Sequence, residues 1–465
     1  MNIDLKQIKE KINLKKISFC LVWLYLFLIP LQTAIIFDEK IINGFKWHYG
    51  SGLIYINEMI LWLAGLLFVV NFLFRLSFQK HQFAKEPRKK ISTVWRNNKK
   101  IIFLILLFLL PLITATIIAT DKSANWYLII KIFDGLLLLF LLRLHQFSWQ
   151  QIAWPLLLSS ALQGVLASFQ FLNQVIIASK WLGIANHQAT TFGEIVIETQ
   201  AGRWLRAYGT LAHPNILGGF CVFGLLSGWA LKITSDKNNF LSNESTNKNI
   251  NRLLDLLILL SALGVFFSFS KSAVLGLLIG LLILILFNQP QTNKKNILQS
   301  IAPAIILLIT FSIIFQSLIL TRLNPNAHLE QQSSTERLNQ YHQAYEIFRQ
   351  YPLTGTGLNN YTLLLWQKNP DLEIFMHQPI HNVYVLIFVE LGLVALCWLM
   401  LIIANTLNFR SNLKKLSPLA LSLMTSILVI SLFDHYPWTQ AVGQSLLWLA
   451  LTFYFSSFKM PNKAL

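Results

Sequence analysis

The chain has 465 residues, 54% of them hydrophobic and only 12% charged, with 34 Phe, 14 Trp and a mean hydropathy of +0.53. Soluble domains carry about 25% charged residues, so a water-soluble globule is excluded. Cys20, Cys221 and Cys397 all lie within long apolar runs, which leaves neither a disulfide framework nor a cysteine-based metal cluster. The net charge of +18 points to nucleic acid only until it is weighed against membrane orientation.

A membrane-spanning helix needs roughly 20 mostly apolar residues. In chain order that template fits 17–37, 53–76, 101–119, 124–142, 151–172 and 212–231, then 253–269, 272–288, 300–320, 380–404, 416–433 and 441–458. The expected fold is therefore all-α, a polytopic membrane protein of about twelve transmembrane helices. The apolar stretch 253–288 is too long for one crossing, and the polar break Ser268-Phe269-Ser270-Lys271-Ser272 marks the reversal. The first apolar run contains Pro30 and lacks a small-residue cleavage site, so it reads as an anchor rather than a signal peptide.

With both termini placed in the cytoplasm, 26 of the 38 Lys and Arg fall on inner segments, and the inner side carries +20 against −2 for everything else. This positive-inside pattern supports both the count and the direction. It also removes the motive for nucleic-acid binding, since short inner loops hold the basic residues; the segment 77–100 is expected only to orient the chain and attract anionic lipids. Inner connections are short or, as in Asp236–Asn251, solvated. Two outer connections are long, about 173–211 and 321–379. The expected organisation is one integral membrane domain, with helices 1–9 over residues 1–320, an extracytoplasmic loop over 321–379, and helices 10–12 over 380–465. No internal repeat is evident, and any chemistry is expected on the outer face.

The first outer loop ends in Gly202-Arg203-Trp204-Leu205-Arg206-Ala207-Tyr208-Gly209-Thr210-Leu211-Ala212-His213-Pro214-Asn215. This segment reads either as an interfacial belt of aromatics and snorkelling arginines or as an anion site. Arginine is always charged and grips phosphate with a planar fork, which suits a lipid phosphate. The second loop carries Ser333-Ser334-Thr335-Glu336-Arg337, then helical periodicity through Tyr341, Ala344, Tyr345 and Phe348, for which Ser334 or Thr335 offers an N-cap. It continues as Tyr351-Pro352-Leu353-Thr354-Gly355-Thr356-Gly357, whose glycines permit a tight turn but match no nucleotide loop with a following Lys. It closes with His377-Gln378-Pro379-Ile380-His381-Asn382, and Pro379 near the first helical position places His381 at the mouth of the bundle. A histidine there is either a satisfied interfacial residue or a general base near neutral pH. His377 and His381 are separated by Pro379 and lack a nearby carboxylate, so no metal site is expected. Lys271, Asp434 and His435 sit at outer ends of spans, where charge must be paired or line a cavity. Glu58, Glu390, and Asp134 with Lys131 lie within spans, the last two expected as a structural pair.

Taken together, Arg206-Ala-Tyr208-Gly-Thr-Leu-Ala-His213-Pro-Asn215, Ser270-Lys271-Ser272, Ser334-Thr-Glu-Arg337, Tyr351-Pro-Leu-Thr-Gly355-Thr-Gly357 and His381-Asn382 leading to Glu390-Leu-Gly392 resemble the O-antigen ligase and polymerase superfamily of bacterial membrane proteins. The resemblance covers roughly residues 200–435. It implies a metal-independent membrane glycosyltransferase without cofactor, taking a glycan from an undecaprenyl-diphosphate-linked donor on the outer face of the cytoplasmic membrane. Arg206 and Arg337 match positions that bind the donor diphosphate, and His381 matches the base. Lys271, His213, Tyr208, Gly355, Gly357, Asn382 and Asp434 are expected as further substrate contacts. At Lys271 the family more often has Arg, so the charge is kept without the bidentate fork. The acceptor is expected to be a lipid-A core or another glycan, as in lipopolysaccharide synthesis; a ligase ranks first and a polymerase second. A lipid-linked glycan transporter is the rival from another class, which calls for related halves and ionisable groups near the midplane. A non-catalytic scaffold would leave Arg206, Arg337 and His381 apart.

Overall fold

The computed structural model describes residues 13–79, 111–191, 193–235, 244–287, 294–371, 376–393 and 417–455. The parts of the expected spans at 101–110, 288, 394–404, 416 and 456–458 lie outside the described residues, as do most of the basic segment 77–100 and the connection 236–243. The structure is 70% helix. By length and composition, five described helices are long and apolar enough to cross a membrane: Ile56–Phe74, Trp149–Asn173, Pro214–Thr234, Lys248–Phe267 and Ile297–Ile314. Lys271–Leu286, Val383–Leu393, Pro418–Ser431 and Ala441–Phe453 are apolar but shorter. Together these make a multi-pass membrane protein; they do not by themselves give twelve crossings.

The all-α expectation holds for the body and fails at its connections. Among the described residues there are four two-stranded antiparallel ribbons, pairing Ala34–Asp38 with Gly52–Tyr55, Ile41–Ile42 with Phe45–Lys46, Val175–Ile176 with His187–Gln188, and Val196–Thr199 with Gly202–Leu205. The first of these shortens the span expected at 17–37. Its helix, Leu14–Leu28, stops just before Pro30, which cannot continue a helical hydrogen-bond ladder, and the remaining apolar residues pair as a strand. Asn43 and Gly44 take positive φ at the adjoining hairpin, the conformation that an Asn-Gly turn supplies at little strain.

Helix Pro214–Ser235 forms the middle of the bundle, and every residue of its apolar window is buried by protein. Around it, Trp149–Asn173 packs on Glu244–Phe267, and Lys271–Leu286 packs on Pro418–Ser431. Small residues set these distances, because lipid gives no hydrophobic drive for helix association and close backbone approach must supply the dispersion energy instead. Gly276 and Gly280 face Ser426 and Ser422, whose hydroxyls donate to the glycine carbonyls at 2.9 and 2.7 Å. On the other side, a Cβ on Gly164 would lie 1.8 Å from the Leu260 carbonyl oxygen, and Ser160 and Ser261 hydroxyls meet at 2.6 Å.

Two local expectations are corrected. Lys131 pairs with Glu58 at 2.5 Å rather than with Asp134, which instead accepts from the Trp62 indole. Position 58 lies one turn into the neighbouring helix Ile56–Gln79, a contact that sequence distance hides. Helix His328–Gln350 begins before Ser334 and Thr335, so these hydroxyls do not cap it and bond back to the Glu330 and Gln331 carbonyls at 2.9 and 3.0 Å. The reversal at 268–272 is found as expected: Glu244–Phe267 ends, and Ser270 caps Lys271–Leu286 through the Ala273 amide.

Gly164→Ile drives a side chain into a backbone carbonyl that cannot yield. Overpacking of this kind lowers stability by at least about 1–3 kcal/mol, which thermal unfolding of the purified protein in detergent will register as a lower Tm.

Candidate active site

The reversal loop organises the site. Ser268 follows the end of helix Glu244–Phe267, and Phe269 adopts left-handed backbone with φ +47°. Two carbonyls are thereby freed at the end of a helix, where partial negative charge favours cations. Arg206, directly after strand Gly202–Leu205, donates from Nε to the Ser268 oxygen at 2.7 Å. Arg322, in the last turn of Gln316–Leu323, donates from Nη2 to the Phe269 oxygen at 3.2 Å.

Arg206 is only 4% exposed. Burial and the neighbouring Arg322 pull its pKa well down, opposed by Tyr208, Glu330 and Asp434, yet a guanidinium stays protonated. Its Nη2 donates to Asn215 Oδ1 at 2.6 Å, and Asn215 Nδ2 donates to Asp434 Oδ2 at 2.7 Å. A buried cation and a buried anion are thus linked through one amide. Asp434 Oδ1 also accepts the His435 amide at 2.9 Å. Burial pushes the Asp434 pKa up, but the surrounding His435, His381 and His213 with the Asn215 amide hold it below the ordinary carboxylate value.

His381 stands before helix Val383–Leu393, with its ring 5.2 Å from that of His435 and edge-on to it. Its Nδ1 lies 3.0 Å from Gln340 Oε1, and its backbone N–H donates to the same oxygen at 3.1 Å. Gln340 lies one turn beyond Arg337 on helix His328–Gln350, so both residues present to one face. Arg337 is close enough to bear on the charge of His381, and its buried Nε has no hydrogen-bond partner among the described residues. Burial lowers the His381 pKa, Asp434 opposes this, and Arg337 adds to it. The imidazole is therefore neutral near pH 7. His213 is held neutral more strongly, with a pKa pushed down to about 3, chiefly by burial and against the pull of Asp434.

The structure therefore brings Arg206, His213, Arg337, His381 and Asp434 into one polar cluster. Lys271 borders it but points elsewhere, donating to Glu330 at 2.7 Å while Arg322 takes the other oxygen of that carboxylate. Tyr208 donates to Glu194 at 3.2 Å and stacks on His187 with centroids 4.4 Å apart. Gly355 and Gly357, at φ +71° and +89°, serve close backbone packing, the first against Glu390 and Gly392 and the second against Ala115 and Ala119. Asn382 caps helix Val383–Leu393 by accepting from the amides of Tyr384 and Val385. Asn215 and His435, singled out in the sequence without a site role, and Arg322 and Gln340, which were not singled out, belong to the cluster by contact. Gln340 carried a signal in its one-turn spacing from Arg337, whereas Arg322 carried none.

Among the described residues, His381, Asp434 and His435 each present one ligand atom within 4.8 Å of the others, the set that could hold a metal ion. His377 does not join them, since its Nε2 lies 3.0 Å from the Asn369 carbonyl. The model of the O-antigen ligase family matches residues 256–400, somewhat under a third of the chain. That match bears out the superfamily resemblance; it contains Lys271, Arg337, Gln340 and His381 and stops short of Arg206, His213 and Asp434. No curated protein and no solved structure matches the chain.

Burial, with His381 and against Asp434, lowers the His435 pKa from 6.5 to about 3. Between these values the unfolded chain binds a proton that the native state refuses, so stability falls as pH drops through that window, by up to about 1.4 kcal/mol per pH unit. His435→Gln removes this contribution, and Tm measured at pH 7 and pH 4.5 should differ less in the variant than in the native protein.

Proposed function

We propose that this multi-pass membrane protein, whose residues 256–400 match the O-antigen ligase family, transfers a glycan from a polyprenyl diphosphate such as undecaprenyl diphosphate to an acceptor hydroxyl. The observation that carries the reading is the nearness of Arg206, Arg337 and a neutral His381 around one buried polar cluster. A diphosphate leaves readily only when its growing negative charge is met, and fixed guanidinium groups meet it without reorganising during the reaction. Arg337 Nε is an unused donor for this purpose. Since Nδ1 of His381 is occupied by Gln340, Nε2 is the nitrogen that takes the acceptor proton. The acceptor oxygen then bonds to the anomeric carbon as the carbon–phosphate oxygen bond breaks on the opposite side, so the configuration inverts.

This reading places twelve crossings, both termini in the cytoplasm and the cluster at the outer face of the cytoplasmic membrane, as the distribution of Lys and Arg favours. The donor reaches the arginines from the side, its polyprenyl chain remaining in the bilayer. The acceptor on this reading is a lipid-carried core glycan, with another glycan as the second choice. The reaction is metal-independent: three arginines crowd the cluster, and Asp434 is already engaged by Asn215, which disfavours a divalent cation at His381.

The test is transfer from purified lipid-diphosphate glycan in EDTA, with release of the diphosphate as readout. The native protein is expected to be unaffected by EDTA, and His381→Ala to fall by about 10²–10⁴, the range for loss of a general base. Elongation of the donor glycan, instead of its transfer to core, would identify a polymerase. His381→Ala or Arg337→Ala at the native rate contradicts the assignment, and movement of lipid-linked glycan across vesicles without transfer would replace it with transport.

A further inference from the structure

A neutral imidazole carries one N–H and one lone pair, and the hydrogen bond made by one nitrogen decides what the other offers. Two histidines of the cluster meet partners whose roles are fixed. At His381, Gln340 supplies the atom 3.0 Å from Nδ1. That atom must be the amide oxygen, because the His381 backbone N–H also points at it from 3.1 Å and can only donate. Nδ1 therefore carries the hydrogen, and Nε2 is bare. At His213, the Asn215 backbone N–H points at Nδ1 from 3.0 Å. Here Nδ1 must accept, so Nε2 carries the hydrogen.

We infer that the site holds its two histidines in opposite neutral tautomers, His381 as a proton acceptor at Nε2 and His213 as a fixed N–H donor to a diphosphate oxygen, with Gln340 as the positioning residue that sets the first. The inference rests on the transferase reading and specifies how its charges are divided. His213 lies within electrostatic reach of Arg206, Arg322, Asp434 and His381, so its N–H adds to the arginine donors around the leaving group. Being neutral, it does so without placing another positive charge beside the base. His381 is faced by Asp434 and His435 from one side, by Arg337 and Glu336 from helix His328–Gln350, and by His213. None of these groups is bonded to Nδ1 of the ring, whose partner among the described residues is the Gln340 oxygen. Because Gln340 and Arg337 share a helix face, one rigid element sets both the base's tautomer and a cation for the leaving group.

The first measurement needs no activity: ¹⁵N spectra of histidine-labelled full-length protein in lipid bilayers near pH 7.5, with His213→Gln and His381→Gln used for assignment. The expected result is a protonated Nδ1 at His381 and a protonated Nε2 at His213; either ring in the other tautomer, or charged, overturns the inference. Gln340→Met should mix the tautomers at His381 and lower kcat about fivefold, the size of one neutral hydrogen bond, leaving KM for the lipid donor unchanged. His213→Leu should lower kcat by about tenfold, and His213→Gln, which restores an N–H near the Nε2 position, should recover part of it. Equal loss in the Leu and Gln variants, or a native kcat in Gln340→Met, refutes these roles. Correct tautomers in a native protein that transfers no glycan would instead refute the transferase reading.

Discussion

A buried arginine must find compensation or it will not stay buried, and the arrangement around Arg206 follows from that requirement. The guanidinium is only 4% exposed. One side is met by the Ser268 carbonyl, freed where two helices reverse, and another by Asn215, which passes the charge on to Asp434. Arg206 follows strand Gly202–Leu205, and its partners come from three other parts of the chain: the reversal after helix Glu244–Phe267, the start of helix Pro214–Ser235, and the segment after Pro418–Ser431. Satisfying one cation therefore draws together the elements that form the cluster. Arg322 repeats the solution at Phe269, with Glu330 as its counter-ion.

Such a cluster holds its shape only if the helices beneath it cannot drift. The glycine and serine contacts between Lys271–Leu286 and Pro418–Ser431, and between Trp149–Asn173 and Glu244–Phe267, lock these pairs at backbone contact. They bear directly on the site, because Lys271 begins one helix of the first pair and Asp434 follows the end of the other, at the same end of the pair, while the second pair leads into Ser268. Packing in the apolar interior thus fixes distances among polar groups at its edge, the condition for donors to be ready before charge develops.

Much of this was legible in the sequence. Apolar runs located the described helices, the serine-lysine break located the reversal, and the motif resemblance, with charge at span ends, named Arg206, Arg337, His381 and Asp434, which the structure sets near one another. What stayed hidden were contacts between residues far apart in the chain. Nothing local distinguishes Glu58 from Asp134 as the partner of Lys131, and Arg322 and Glu330 fall on either side of a break at Asn324 that destroys helical spacing. The ribbons were missed because β-branched apolar residues such as Ile35 and Ile36 satisfy a membrane-helix template and a strand equally well. The work of Tyr208 and Asn382 in stacking and capping was likewise invisible, since a polar residue in a motif reads alike for a ligand contact and for a local structural role.

The central claim is that one cluster holds both the diphosphate and the base. The measurement that bears on it most directly is an electron cryomicroscopy structure of the native protein in a bilayer mimic with bound undecaprenyl diphosphate. The account predicts diphosphate density between Arg206 and Arg337, with its terminal phosphate, the former site of glycan attachment, toward Nε2 of His381. Density seated elsewhere, or a cluster in which these three side chains line no common space, would contradict it.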